Sequence, residues 1–210
     1  MPRVALENNQ RNIWSVDPGC IPTRFPIINR SMGLCGGCTF LISSQHRSPA
    51  WQILYVIAHD IAQLYNVLIL GGSGHKQLPT LQGYGIELIR AVHRIKDQIK
   101  LLVIPDIVEV TYCEDDISVA ATTLHRRRFI RDIREVLPND ACLLIHQYQY
   151  ERHDWHMPST LLLESSTFFS SHNEDQHRAT LTCLKSRFST EVIGQSENYC
   201  MVAPYDFIED

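Results

Sequence analysis

The sequence predicts a single α/β domain, Rossmann-like in layout, whose mostly parallel sheet has helices on both faces. Two observations lead to this prediction. Short apolar runs such as Val67–Leu70 and Ala141–Ile145 are too brief for helices and fit buried strands. They alternate with segments of roughly 12–20 residues in which apolar positions recur at helical spacing. Helical connections return the chain to the same edge of a sheet, which makes the strands parallel.

Length and composition agree with one globular domain. The chain has 210 residues, of which 44% are hydrophobic and 20% charged, a balance typical of folded proteins. A chain of this length can bury roughly 70% of the surface that its unfolded form exposes. The formal net charge of -4 argues against nucleic acid and anionic membranes as partners. It leaves a small-molecule ligand and a homo-oligomer as the partners to consider.

The sequence lacks the usual marks of export. No apolar run approaches the ~18 residues that a membrane span needs, and residues 1–12 lack the apolar core of a signal peptide. The seven cysteines form an odd, irregular set, which is more typical of a reducing compartment than of a disulfide framework. We therefore expect a cytoplasmic protein.

The first segments show few periodic apolar positions. Residues 1–25 are broken by proline and glycine, so we expect an arm laid over a domain of residues 26–210. Pro26–Ile28 is expected to begin a strand. Residues 32–38 indicate a strand that ends in a glycine turn, and residues 39–42 either extend that strand or start the next element.

Three helices are predicted from apolar positions at helical spacing. The first spans residues 48–66, where a serine can cap the helix and a proline suits its first turn. The second spans residues 84–99, with glycines that weaken its beginning. The third spans residues 117–137, begins after an acidic turn and ends before a proline.

Further strands are expected between and after these helices. Leu101–Ile104 is apolar and Val108–Tyr112 alternates, so one or both are strands. Ala141–Ile145 is the next buried strand, followed by a polar, aromatic-rich loop or helix start at residues 146–156. The remaining sequence is a serine-rich connector and a polar tail, in which Tyr199–Val202 is the last expected strand.

A binding site is predicted around the glycine-rich turn that follows Val67–Leu70. Glycine accepts positive φ and lets a ligand approach the bare backbone, and the N–H groups of such a turn suit phosphate, carboxylate or a nucleotide-like group. The turn matches neither the dinucleotide nor the ATP-binding glycine motif, so S-adenosylmethionine and a nucleotide stay open as ligands. The alternative is a plain tight connection. The predicted cofactor-binding residues are Gly36, Gly37, Gly71, Gly72, Ser73, Gly74, Ser118 and His146.

Candidate catalytic residues lie in loops predicted at the same edge of the sheet. His75 and Arg152 would neutralise developing charge, and Glu114 or Asp115 would act as the base. The acidic residues are also suited to capping the helix that follows them. The histidine-rich segment after residue 145 is equally suited to a solvated loop.

The stretch Leu70–His75, with the sequence LGGSGH, is similar to the SGGxGH turn of the YdcF/SanA/ElyC family of bacterial α/β domains. A second family motif, an acidic E-D-x-S turn followed by Thr and Asn at the start of a helix, resembles residues 114–123, one residue out of step. The resemblance covers the layout of residues 26–160. It implies an α/β domain with a site at these loops, in a family whose activity is largely unsettled.

The sequence departs from that family at two points. Leu124 or His125 stands where the second motif has Asn. The third motif has a polar residue, Asp-Pro and then arginines after the next strand. Here His146–Tyr148 lacks the Asp-Pro, although Arg152 falls on an arginine position. These departures favour a divergent member with its own ligand.

Cys35 and Cys38 have the CxxC spacing of zinc ligands or of a redox pair. His153 and His156 would complete a Cys₂His₂ zinc site if the two loops meet. The alternative is a glycine turn with two small buried cysteines, because the two pairs are farther apart in the chain than in a compact zinc module.

Three classes of function follow from these patterns. The first is a small-molecule enzyme with a glycine-rich pocket for an anionic or nucleotide-like ligand at the carboxyl ends of the strands. The second is a ligand-sensing module that holds S-adenosylmethionine or a nucleotide without chemistry. The third is a zinc or redox protein. The sequence leaves open whether the protein is an enzyme.

Overall fold

The computed structural model describes eight parts of the chain, residues 20–31, 33–45, 50–71, 78–111, 119–149, 165–173, 178–203 and 206–209. The strands within them are β1 (Cys20–Ile21), β2 (Leu34–Cys35), β3 (Thr39–Gln45), β4 (Val67–Leu70), β5 (Thr80–Leu81), β6 (Leu101–Ile104), β7 (Cys142–Gln149), β8 (Thr167–Asn173), β9 (Arg178–Ser186), β10 (Ser196–Ala203) and β11 (Asp206–Glu209). The helices are α1 (Pro26–Arg30), α2 (Ala50–Ala62), α3 (Gly85–Ile95), α4 (Ile107–Val110) and α5 (Val119–Val136), and a 3₁₀ turn (Lys96–Gln98) follows α3.

In the described part of the chain, nine strands form one large sheet in the order β11-β10-β9-β8-β3-β7-β6-β4-β5. The six strands from β8 to β5 pair in parallel. Strands β9, β10 and β11 continue the sheet in antiparallel fashion, and β1 pairs with β2 in a separate antiparallel ribbon. The predicted α/β fold with a mostly parallel sheet is confirmed.

Alternate residues of the parallel strands enter two separate cores, one on each face of the sheet. Val67 and Ile69 of β4 belong to the core that contains α2, whereas Leu68 and Leu70 belong to the core that contains α3 and α5. All four residues of β4 are buried, which explains why this strand is an uninterrupted apolar run. Helices therefore cover both faces of the sheet, as predicted.

The three predicted helices are present, with ends that differ by a few residues from the expected ones. They correspond to α2, α3 and α5. Their buried side chains, such as Ile53 and Ile57 of α2 and Ile133 of α5, are the positions that recur at helical spacing. Among the described helices, none is both long enough and apolar enough to cross a bilayer.

One segment expected as a strand is helical, and of the two segments of which one or both are expected as strands, only the first is a strand. Pro26 stands in the first turn of α1, where its fixed φ suits a helix, and not at the start of a strand. Leu101–Ile104 is strand β6, but the alternating run that begins at Val108 starts inside α4. There the side chain of Asp106 accepts a hydrogen bond from the Val108 N–H at 2.8 Å and caps the helix.

The C-terminal part adds four strands where the sequence analysis predicts one. The expected strand Tyr199–Val202 lies within β10. In β9, Ala179, Leu181 and Cys183 are buried while the residues between them are half-buried. This alternation is typical of an antiparallel strand with one exposed face, but small residues such as alanine and cysteine make it a weak signal.

Candidate functional site

The carboxyl edge of the parallel sheet is the edge at which β3, β4, β6 and β7 end. Strands β7, β6 and β4 are neighbours, so the segments that leave them start close together. Gly71 follows β4, Pro105 follows β6, and His146 lies in β7 one residue beyond the paired residues Ile104 and Ile145. The segments that follow β4 and β7, and the segment that follows β6 through α4, therefore start from neighbouring strands.

Gly71 makes the tight exit from β4. Its φ is +71°, and a Cβ atom there would lie 2.9 Å from Val110 Cγ1 and 3.5 Å from Glu109 Oε2. Its N–H donates a hydrogen bond to the Leu81 carbonyl at 2.9 Å. Only glycine can adopt this positive φ without strain and also leave room for the Val110 side chain. The turn after β4 thus packs directly on α4, the helix that follows β6.

Asp106 is a carboxylic acid at this edge that the sequence analysis misses. It is half-buried at the start of α4, and burial raises the pKa of its carboxyl. The hydrogen bond from Val108 and the charge of Arg126 lower that pKa, while Glu109 raises it. A perturbed carboxyl at the end of a parallel strand is a candidate acid–base group. Its sequence signal is an aspartate directly after the apolar run of β6 and Pro105.

His146 lies inside β7, which continues to Gln149, and is fully buried, whereas the sequence analysis expects a loop or helix start there. Its Nδ1 is 2.8 Å from the Pro105 carbonyl oxygen and its Nε2 is 2.7 Å from Ser44 Oγ. Because a carbonyl only accepts, Nδ1 holds the proton, and Nε2 accepts from the serine hydroxyl. Burial lowers the pKa of His146 to about 4, so the ring is neutral at pH 7.

Two buried hydroxyls, those of Ser44 and Ser171, lie on the same face of the sheet as this histidine, and the hydroxyl of Ser43 lies on the opposite face. Ser43, Ser44 and Ser171 are each at most 2% exposed. Ser44 is paired in register with Ser171 of β8 on one side and with Tyr148 of β7 on the other. The hydroxyls of Ser43 and Ser171 have no hydrogen-bond partner among the residues that the structure describes. The sequence analysis misses all three serines, although the doublets in LISSQ and FFSSH directly follow apolar residues.

Gly36 and Gly37 lie at the opposite edge of the sheet. They follow β2, which belongs to the small ribbon, and precede β3. The Gly37 N–H donates to the carbonyl of Ala141, the residue before β7, at 2.9 Å. This corrects the expected position of the turn at the carboxyl edge. Gly36 and Gly37 are not brought together with Gly71 and His146.

The CxxC pair is divided between a disulfide and a buried thiol. Cys35 is bonded to Cys20, so its sulfur is not free to bind zinc or to pair with Cys38. Cys38 is buried as a free thiol, and burial raises its pKa. No group of three or more His, Cys, Asp or Glu side chains able to hold a metal ion is found in the part of the chain that the structure describes.

The remaining predicted site residues lie outside the described residues. The catalytic residues among them are His75, Glu114, Asp115 and Arg152. The binding residues among them are Gly72, Ser73, Gly74 and Ser118, and the alternative zinc ligands are His153 and His156. Their predicted roles therefore stay predictions.

An open cleft of about 420 Å³ lies at the amino edge, next to the segments that precede β4, β6 and β7. Its lining includes Tyr65, Gln98, Lys100 and Asp140. Lys100 Nζ is 3.1 Å from Asp140 Oδ2, and this hydrogen bond and charge lower the pKa of the Asp140 carboxyl. None of the catalytic, binding or metal-ligating residues predicted from the sequence lines this cleft.

No protein-family model matches the chain, and no curated protein sequence matches it. The residues that define the chemistry of the site are Gly71 with α4, Asp106, and the cluster of His146 with Ser44 and Ser171.

Proposed function

We propose that this protein is a Rossmann-like, small-molecule enzyme that binds an anionic or nucleotide-like ligand at the carboxyl edge of its sheet. The observation that supports this most is that the chain leaves two neighbouring strands, β4 and β6, in opposite directions. Strand β4 continues to β5 on one side, whereas β6 continues through α4 and α5 to β7 on the other side. A crevice between strands whose connections lead apart is the usual ligand site of an open α/β sheet.

The residues at that crevice fit such a ligand. Gly71 fixes the exit of β4 against α4, and the predicted turn that follows it, through Gly74, would supply N–H donors for phosphate or carboxylate. Asp106 lies on the β6 side with a raised pKa, which suits proton transfer. S-Adenosylmethionine and a nucleotide are the ligands that we propose to test first.

The resemblance to the YdcF/SanA/ElyC family supports the same location. It depends on the stretch Leu70–His75, which begins at the last residue of β4. We propose that the protein is a divergent member. The departures at Leu124 and after His146 favour a second candidate function, in which the same pocket senses its ligand without altering it.

Native mass spectrometry of freshly purified protein, beside a denatured sample, tests the proposal first. We expect an added mass of a few hundred daltons, on the scale of a nucleotide-like ligand, which is lost on denaturation. Calorimetric titration with ATP and with S-adenosylmethionine then identifies the class. Incubation followed by chromatography separates the two candidate functions, because an enzyme converts its ligand and a sensor returns it unchanged.

A substitution in the predicted turn gives a matched test. His75→Ala should weaken binding about tenfold or more, which corresponds to about 1.4 kcal/mol, and leave the melting temperature unchanged. His93→Ala is the control, because His93 is exposed on α3 and should alter neither quantity. Equal affinities of the two variants, or failure of native protein to bind either ligand class, would contradict the proposal.

A further inference from the structure

We propose that Ser44 is a nucleophile for acyl transfer, with His146 as its base and the Pro105 carbonyl as the group that orients the imidazole. The substrate class that fits is a carboxylic ester of nucleotide-like size. The inference rests on the proposed function, because it assigns a reaction to the same edge of the sheet. Adjacent strands lie about 4.8 Å apart, so β3 and β4 are about 14 Å apart, which a nucleotide-sized ester can span.

The two hydrogen bonds of His146 have the geometry that activates a serine. The Ser44 Oγ–Nε2 distance of 2.7 Å allows direct proton transfer to the imidazole. The 2.8 Å contact of Nδ1 with the Pro105 carbonyl fixes the tautomer that leaves Nε2 unprotonated. In serine hydrolases a carboxylate usually holds the ring in this way, and here a backbone carbonyl does so.

Ser171 supplies the second, independent observation. It is 2% exposed, it is paired with Ser44 in the parallel register, and within the described part of the chain its hydroxyl has no hydrogen-bond partner. Paired residues of parallel strands point to the same face, so this hydroxyl lies beside the proposed nucleophile. Buried hydroxyls without a partner are rare. We infer that the Ser171 hydroxyl donates to the oxyanion that forms when an ester carbonyl is attacked.

The cluster lies next to Tyr148 at the carboxyl end of β3. Its side chain is half-buried, and its ring meets that of His146 edge-on with centroids 4.5 Å apart. Ser44 is paired with Tyr148 and is the last residue but one of β3. In the proposed reaction the ester would enter from this carboxyl edge, past the ring of Tyr148.

The proposed reaction has two balanced halves. Ser44 Oγ attacks the ester carbonyl carbon and its proton passes to His146 Nε2. The C–O bond to the alcohol breaks, and the imidazolium returns the proton to the leaving alkoxide. Water then attacks the acyl-serine with His146 as base, which releases the carboxylic acid and restores both side chains.

A small alkyl fluorophosphonate tests the proposal, because it bonds covalently to an activated serine oxygen with loss of fluoride. Intact mass and peptide mapping of the native full chain should show one adduct, on Ser44. Ser44→Ala should abolish the adduct and the hydrolysis of p-nitrophenyl acetate. His146→Gln should slow both reactions about 100-fold or more, since an amide is no base.

Ser43→Ala is the matched control. Ser43 precedes Ser44 in the same strand and is equally buried, but it points to the opposite face of the sheet. Its variant should react like the native protein, with denaturant unfolding used to show that all variants are folded. An adduct on any other residue, or none on native protein, overturns the inference. If native mass spectra still show a bound ligand in that case, the proposed function stands, and if they do not, both fail.

Discussion

Gly71 and Val110 are in direct contact although they belong to segments that leave two different strands. The Val110 Cγ1 atom lies 2.9 Å from the place that a Cβ on Gly71 would occupy. Val110 is fully buried, so it cannot move away without disturbing the core around α4. The contact fixes the exit of β4 against the helix after β6, and this is the base of the proposed crevice.

Gly71→Ala should destabilise the protein strongly. The substitution forces an L-residue into left-handed backbone, which costs about 1–2 kcal/mol, and adds a methyl group where Val110 has no room, which costs about 1–3 kcal/mol more. We expect the free energy of unfolding, measured with urea, to fall by roughly 2–5 kcal/mol.

Gly194→Ala separates the two costs. Gly194 has a φ of +85° and nothing within 4 Å of its added Cβ, so its variant should lose only the backbone part, about 1–2 kcal/mol. Gly71→Ala should cost less in a Val110→Ala background than in the native protein, because the smaller side chain leaves room for the added methyl group. Equal losses at Gly71 and Gly194 would show that the contact with Val110 is unimportant.

His146 should make stability depend on pH. Its pKa is lowered from 6.5 to about 4 by burial, and the hydrogen bond to Pro105 acts in the opposite direction. The unfolded chain therefore binds a proton as the pH falls below 6.5, whereas the folded protein binds it only near pH 4. Stability from this group is complete above pH 6.5 and is lost as the pH falls. Between pH 7 and pH 5 the loss should be about 2 kcal/mol, at 1.36 kcal/mol for each pH unit below 6.5.

The His146→Gln variant provides the comparison for this pH effect. Its side chain does not titrate, so its free energy of unfolding should fall by about 2 kcal/mol less than that of the native protein between pH 7 and pH 5. Urea unfolding at both pH values gives the difference directly. A native protein and a variant with the same pH dependence would mean that His146 titrates normally and is not held neutral by burial.

The central sheet is predictable because its chemistry is local. The strand Val67–Leu70 and the strand Leu101–Ile104 are buried on both faces, and such strands are continuous apolar runs that a helix of normal length cannot match. The helices are predictable for the same reason, because apolar periodicity is also a local signal. The secondary structure of Pro26–Ile28 and of the run from Val108 is harder to predict, because a proline or an aspartate at a helix start outweighs strand propensity.

The candidate site is only partly predictable because its chemistry depends on pairs of distant residues. The glycine turn at Gly71 is visible in the sequence, since the local backbone demands glycine. Ser44 and His146 are 102 residues apart, and only the pairing of β3 with β7 brings them together. The position of Gly36 depends on a similar fact, namely that the strand after it, and not the one before it, joins the large sheet.

Gly36→Ala should lower stability and leave ligand binding intact. A Cβ there would lie 2.7–2.9 Å from backbone atoms of Asp140, and backbone cannot rotate away as a side chain can. We expect a loss of about 1–3 kcal/mol in the free energy of unfolding. Because Gly36 lies at the amino edge, the affinity of the folded variant for the ligand should equal that of native protein. Weakened binding would restore Gly36 to the predicted ligand site.

The Cys20–Cys35 disulfide should stabilise the fold measurably. It closes a loop with a sequence separation of 15 and ties β1 to β2, two strands of only two residues each. For a loop of this length the reduced chain should be less stable by about 3 kcal/mol. Urea unfolding with and without reductant, after thiol titration shows that the bond is open, measures this loss.

Two cysteine variants show whether the loss comes from this bond. Cys20→Ala should have the lower stability from the start and should not respond to reductant, whereas Cys200→Ser, which changes a free half-buried thiol, should respond as native protein does. Peptide mapping without reductant should recover Cys20 joined to Cys35. If mapping instead joins Cys35 to Cys38, the CxxC pair is a disulfide in its own right and the expected redox role returns. A disulfide that persists in protein from the cell would also argue against the reducing compartment expected from the odd cysteine count, because such bonds are rare where thiols are kept reduced.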